Sequence, residues 1–126
     1  MTQEQKELLL KDLCSRLSHG VRCEVVKRNT SGEMLFIRNG SGALELTVNN
    51  VKELVTNNMY EIKPYLFPLS SMTEEQWKEL KLTMIYTFGT LCYTLKTYDY
   101  FYKNHIDIRG LILMGLAIDA TNLYIY

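Results

Sequence analysis

Proline is nearly absent from this chain: Pro64 and Pro68 are its only two, four residues apart in a sequence of 126. Everywhere else the backbone keeps its amide donor, so proline breaks no other helix or inner strand. Cysteine is scarce and odd in number. Cys14, Cys23 and Cys92 are separated by nine and 69 residues, with no C-x-x-C pair and no H-x-x-x-H. That spacing argues against a disulfide framework and a closed zinc site, leaving reduced, buried thiols as the expectation. Net charge is missing too, since 14 basic residues balance 14 acidic ones. Without a global field the chain is not expected to coat extended nucleic acid or an anionic membrane. The most apolar run, Leu111 to Ile118, is eight residues, well short of the ~20 needed to span a bilayer. The opening M-T-Q-E-Q-K-E is polar and acidic, unlike a secretory signal. A cytoplasmic protein is expected, and the length fits one domain, 1–126.

What is present begins with a helix. Thr2 is placed to cap it, Glu4, Gln5 and Glu7 fill the first turn, and Leu9, Leu10, Leu13, Cys14 and Leu17 recur at spacings of three and four. Lys6, Lys11, Asp12 and Arg16 make up the polar face, read as a solvated surface, and Gly20 ends the helix. From Val21 the period changes to two. Val21 to Arg28, Met34 to Arg38 and Ala43 to Val48 read as three strands of a β-meander, with turns at 29–32 and 39–42. Val51 to Val55 is a helical turn or a loop or, if a strand, the piece that closes a small SH3-like barrel. Met59 to Leu66 is extended, and Pro64 assigns it to a sheet edge or to a strap across the sheet. Two overlapping capping boxes, Ser71 with Glu74 and Thr73 with Gln76, start a second helix. Trp77, Leu80, Met84, Phe88, Leu91 and Leu95 keep a helical spacing that would carry it to Lys96, whereas β-branched and aromatic residues around Gly89 favour a stop near Leu82 followed by a hairpin. Periodicity leaves both open, and local propensity leans to the shorter helix. Thr97 to His105 reads as a short aromatic helix with Tyr98, Phe101, Tyr102 and His105 on one face, followed by a last apolar segment at Leu111 to Ala117. The expected class is α+β: an N-terminal helix, a small antiparallel meander, a proline-bearing strap and C-terminal helices.

Little in this pattern suggests covalent chemistry. Cys14 and His19 lie five apart with no third group to orient them, and His105-x-Asp107 lacks further ligands at metal-binding spacing. No catalytic residue, metal or cofactor is therefore expected. The aromatics say more. Of nine tyrosines, six fall within 93–102 and 124–126, more than one small core buries, so some are expected to line a pocket or an oligomer interface. Arg109, between Asp107 and Gly110, is the best single candidate for a polar role. An arginine at a turn beside a helix start can hold a phosphate together with free backbone N–H groups. The plainer alternative is an ion pair with Asp107 that fixes the turn. Lys63 and Tyr65 offer a second cation and ring on the strap. The candidate ligand-binding set is Arg109, Lys63, Tyr65, Tyr98, Tyr102, His105 and Asp107.

Three stretches carry a resemblance: I-K-P-Y-L-F-P-L-S-S-M-T-E-E-Q at 62–76, H-I-D-I-R-G-L-I-L-M-G-L-A-I-D-A-T at 105–121 and K-D-L-C-S-R-L-S-H-G-V-R-C at 11–23. Together they resemble a family of short uncharacterised proteins of gut Bacteroides, their prophages and phages. That family's pattern after the position of His105 is F-D-Y-R-G-L-I-P-M-G-L-A. Leu113 stands where it has proline, which points to a more continuously helical final segment. The resemblance implies a phage origin and action in the host bacterial cytoplasm, and it brings no activity with it. With the small size, neutral charge and aromatic surplus, it suggests an accessory protein that sequesters a small phosphorylated, nucleotide-like ligand, such as a host immune signal, in a pocket between protomers. The alternative is a protein-interaction module, with the meander edge or the aromatic helix inhibiting a host protein.

Overall fold

Residue 2 opens the first helix by a reciprocal cap. In the computed structural model, which describes residues 2–25, 30–37, 44–48, 51–56 and 62–126 and side chains at 2–24 and 62–126, Gln5 N donates to Thr2 Oγ1 and Thr2 N donates to Gln5 Oε1, both at 3.1 Å. Helix α1 (Gln3–Arg16) continues into a 3-10 turn (Leu17–His19), and Gly20 at φ 70 supplies the left-handed stop expected of it. The buried face of α1 is not the leucine stripe. Leu9, Asp12, Leu13 and Arg16 are buried, while Leu10 and Cys14 are exposed. At 3.6 residues per turn, burial is rotated by roughly a quarter turn from the apolar pattern. Asp12 and Arg16, expected on a solvated face, lie inside the protein.

The meander consists of β1 (Arg22–Val25), β2 (Thr30–Ile37), β3 (Leu44–Val48) and β4 (Val51–Thr56), each antiparallel to its neighbour in the order β4-β3-β2-β1. The register shifts between Met34 and Phe36 and between Leu44 and Glu45. Thr30, Ser31 and Gly32, expected in a turn, already belong to β2. Residues 51–56 form a strand, yet among the described residues nothing pairs β4 onto another edge, so no barrel closes. Expected features at 26–29, 39–42, 49–50 and 59–61 lie outside the described residues.

The proline-bearing stretch is an inner strand rather than an edge or strap. β5 (Ile62–Pro68) runs antiparallel to β1, with Pro64 opposite Cys23 and Lys63 opposite Glu24. It is also parallel to two short strands from the last third of the chain, β8 (Ile106–Asp107) and β9 (Ile118–Asp119). Proline is tolerated because successive strand residues turn their backbone groups to opposite sides. The Tyr126 hydroxyl donates to Tyr65 O and accepts from Arg22 N, placing the Tyr65 carbonyl on the β1 side. Pro64 therefore faces the other side, where pairing with β9 begins only at Tyr65. No ladder donor is lost.

After a 3-10 turn (Leu69–Ser71), the Thr73 and Gln76 capping box opens α2 (Glu74–Lys81), which is capped at Leu82, the shorter of the two readings. A hairpin follows, β6 (Ile85–Thr87) and β7 (Thr90–Cys92), turning at Phe88 and Gly89. Helix α3 (Leu95–Lys103) is capped by Thr94. His105 lies beyond its end at φ 59, so Tyr98, Phe101 and Tyr102 belong to α3 and His105 does not. Residues 111–117 are turns and bends rather than helix. Gly110 (φ 72) and Gly115 (φ 74) bracket room for a single turn, closed by Leu116 N donating to Leu111 O.

Helix α1 covers one face of β1 and β5: Leu9 and Leu13 pack with Cys23, Ile62 and Leu66, and Leu111 and Leu116 complete that core. A second cluster of Met72, Leu80, Phe101 and Ile106 joins α2, α3 and β8. Among the described residues no helix is long and apolar enough to cross a membrane.

Candidate functional site

The turn 106–110 brings Arg109 between α1 and α3, and a cleft of about 690 Å³ opens there. Helical spacing supplies both walls. Lys11 and Ser15 are one turn apart on α1, while Tyr98, Asp99 and Tyr102 follow the i, i+1, i+4 pattern on α3. Leu95 and Ile108 add apolar surface.

Beneath the cleft is a buried charge cluster. The Asp12 carboxylate, with no exposed surface, accepts from Arg16 Nε at 2.7 Å and from Arg109 Nη1 at 2.8 Å. Arg16 is equally buried, and its Nη2 donates to Ile106 O at 2.6 Å. Arg109 Nη2 donates to the Tyr102 hydroxyl at 3.1 Å. Both guanidinium carbons lie near the Tyr102 ring, 5.2 Å from its centroid for Arg16 and 5.6 Å for Arg109, within cation–π range. Two cations share one carboxylate, so the cluster keeps an excess positive charge beside the cleft. Burial alone would lower the Arg109 pKa. The Tyr102 hydroxyl and the Asp12 carboxylate outweigh it and raise that pKa above the ordinary guanidinium value, so Arg109 is a permanent cation. Tyr98 and Tyr102 rings are near parallel, 27° between planes with centroids 6.5 Å apart. Tyr98 is the more open ring, 41% exposed.

Of the seven expected ligand residues, Arg109, Tyr98 and Tyr102 meet in this cleft. Asp107 does not join them, and among the described residues it makes no ion pair with Arg109. Its two carboxylate oxygens accept from Leu111 N and Ile112 N, each at 2.9 Å. The backbone amides expected to help Arg109 hold a phosphate are thereby taken, and Asp12 is the arginine's partner instead. His105 is turned away by its left-handed backbone and stacks on Tyr126, with ring centroids 3.6 Å apart. Burial first, then the charges of Arg16 and His19, lower its pKa from 6.5 to about 4, and its buried Nδ1 has no hydrogen-bond partner. Lys63 and Tyr65 alternate with the buried Ile62 and Leu66 and so face away from α1, on the far side of the sheet from the cleft.

Cys23 is fully buried, and burial with the Asp12 charge pushes its thiol far above the ordinary value. Among the described residues no hydrogen bond joins Cys14 to His19, and Cys14 is exposed rather than buried as expected. The residues that sequence reasoning passed over are Asp12, Arg16, Lys11, Ser15 and Asp99. Asp12 and Arg16 had a signal: with Leu9 and Leu13 they complete an i, i+3, i+4, i+7 face, so one side of α1 was marked for burial with two charges on it. Comparison of the chain with protein-family models, curated proteins and solved structures finds no match.

Proposed function

We propose that the cleft between α1 and α3 binds a small phosphorylated, nucleotide-like ligand and that the protein acts by holding it. The observation that carries this is the convergence of an exposed tyrosine ring, Tyr98, with two cations, Lys11 and Arg109, around one open volume. A base stacks on Tyr98, where a sequence-tolerant aromatic contact is worth about 1–3 kcal/mol. Lys11 and the remaining N–H groups of Arg109 meet phosphate oxygens. Asp99 accepts from sugar hydroxyls at the rim. The volume lies within the 300–1,000 Å³ range of small-molecule sites. A binding role needs no activated nucleophile or general base. The resemblance of residues 11–23, 62–76 and 105–121 supports a phage-derived accessory protein acting in the bacterial host cytoplasm, where a nucleotide immune signal is a fitting ligand.

Recovering the protein from bacterial cells and analysing the small molecules released on denaturation tests this. An intact nucleotide present in near-stoichiometric amount, and lost from a Tyr98→Ala variant, is the expected result. No nucleotide with either protein counts against sequestration, and recovery of cleavage products points to an enzyme instead.

A further inference from the structure

Residues 82–95 contain no Asp, Glu, Lys or Arg, the longest such stretch in the C-terminal half, and they form the β6–β7 hairpin with its two flanks. Both faces of this arm are open. Tyr86 and Leu91 are cross-strand partners on one face, Ile85 points to the other, and all three are exposed. Leu82 and Leu95 at the base are 88% and 85% exposed, and Phe88 at the tip is fully exposed. Among the described residues the arm is held at its feet. Thr94 Oγ1 donates to Thr83 O at 2.7 Å, and Tyr93 rests edge-on against Phe101 and Tyr98.

Two features set this arm apart from an ordinary surface loop. Strands of three residues do not hold a hairpin on their own in water, so the arm wants a covering surface. The turn itself is also costly. Phe88 and Gly89 both have positive φ, 51 and 77, the geometry of a turn that favours Asn-Gly. An aromatic in the left-handed region is strained and, fully exposed, gains nothing within its own chain.

We propose that the β6–β7 arm is a self-association surface, covered in solution by the arm of a second copy about a twofold axis. Area and charge argue for that occupant. At roughly 200 Å² for an exposed aromatic side chain and somewhat less for leucine or isoleucine, the seven large apolar residues Leu82, Ile85, Tyr86, Phe88, Leu91, Tyr93 and Leu95 present on the order of 900 Å² per chain. A stable dimer buries about 800 Å² per partner. With no charge on the arm, nothing repels an identical surface and nothing selects an oppositely charged partner. Leu95 and Tyr98 adjoin the arm and border the α1–α3 cleft, so the second copy stands beside its open side. The proposal rests on the arm alone and not on the ligand assigned to the cleft.

Sedimentation velocity of the ligand-free protein from low to high micromolar concentration tests it. The wild type is expected at twice the chain mass. Phe88→Asn, which installs an Asn-Gly turn, is expected to melt no lower than wild type while weakening the dimer at least about thirtyfold. Tyr86→Lys is expected to sediment at the chain mass. A wild type that stays at the chain mass throughout overturns the proposal, as does a Phe88→Asn variant that dimerises as tightly. Wild type at the chain mass that floats with phosphatidylcholine–phosphatidylglycerol vesicles, or that pairs only with a different protein, also overturns it and identifies the occupant.

Discussion

Asp12 has no exposed surface and lies between two guanidiniums at 2.7 and 2.8 Å, an arrangement in which each charge depends on the others. Taking ions out of water is costly, and removing one partner of a buried pair typically costs about 3–5 kcal/mol because the remaining charge loses its compensation. Asp12→Ala is therefore expected to lower unfolding free energy by about 3–5 kcal/mol in urea denaturation, while Asp99→Ala, at an exposed position of α3, changes it by less than about 0.5 kcal/mol. Equal effects from the two would contradict the cluster's structural role. His105 makes a pH prediction. Its folded pKa of about 4 lies below the unfolded 6.5, so the unfolded chain takes up the proton first as pH falls. Its contribution is fully present above pH 6.5 and is lost as pH drops through 4. His105→Asn, which suits the left-handed backbone, should flatten the fall in stability across that window, and an unchanged slope would exclude His105 as its source.

Among elements, those defined by local chemistry were legible in the sequence. The capping residues Thr2 and Thr73, the Gly20 stop and the break after Leu82 all follow from contacts within a few residues, and each is found. Elements defined by distant partners were not. β5 looks like an edge because it holds proline, but its flanking strands arrive from positions 106 and 118, too far along the chain for local pattern to reveal. The rotated face of α1 is of the same kind, since one of the two partners of the buried Asp12, Arg109, comes from 97 residues away. The site was legible in part. Aromatic surplus and an arginine at a turn pointed to Tyr98, Tyr102 and Arg109, which line one cleft, whereas Lys63 and Tyr65 lie on the face of β5 away from α1, in a sheet whose order local pattern does not reveal. One element-scale prediction concerns the arm's footing. Thr94 caps α3 and ties the chain at Thr83, where Thr97 adds a bond of 2.9 Å. Thr94→Ala should cost about 1–2 kcal/mol in thermal or urea unfolding, and a neutral result would mean that the arm is held elsewhere.

At the scale of the molecule, the sheet and α1 form a platform, and the chain after Pro68 wraps back to add β8, β9 and the α1–α3 cleft. The cleft is thus built from the first and last parts of the sequence, with Arg109 fixed by the Asp12 carboxylate and Lys11 on an exposed side chain. That preorganisation favours capture of an anion, since the guanidinium of Arg109 is already oriented before a ligand arrives. Isothermal titration calorimetry of wild type and Tyr98→Ala against cyclic di- and trinucleotides and ADP-ribose derivatives tests the central claim most directly. Saturable heat with at least one of these ligands, weakened about five- to hundredfold or more in the variant, is the result predicted. Absence of heat across the panel, or equal affinity in the two proteins, would contradict the assignment of the cleft as a nucleotide site.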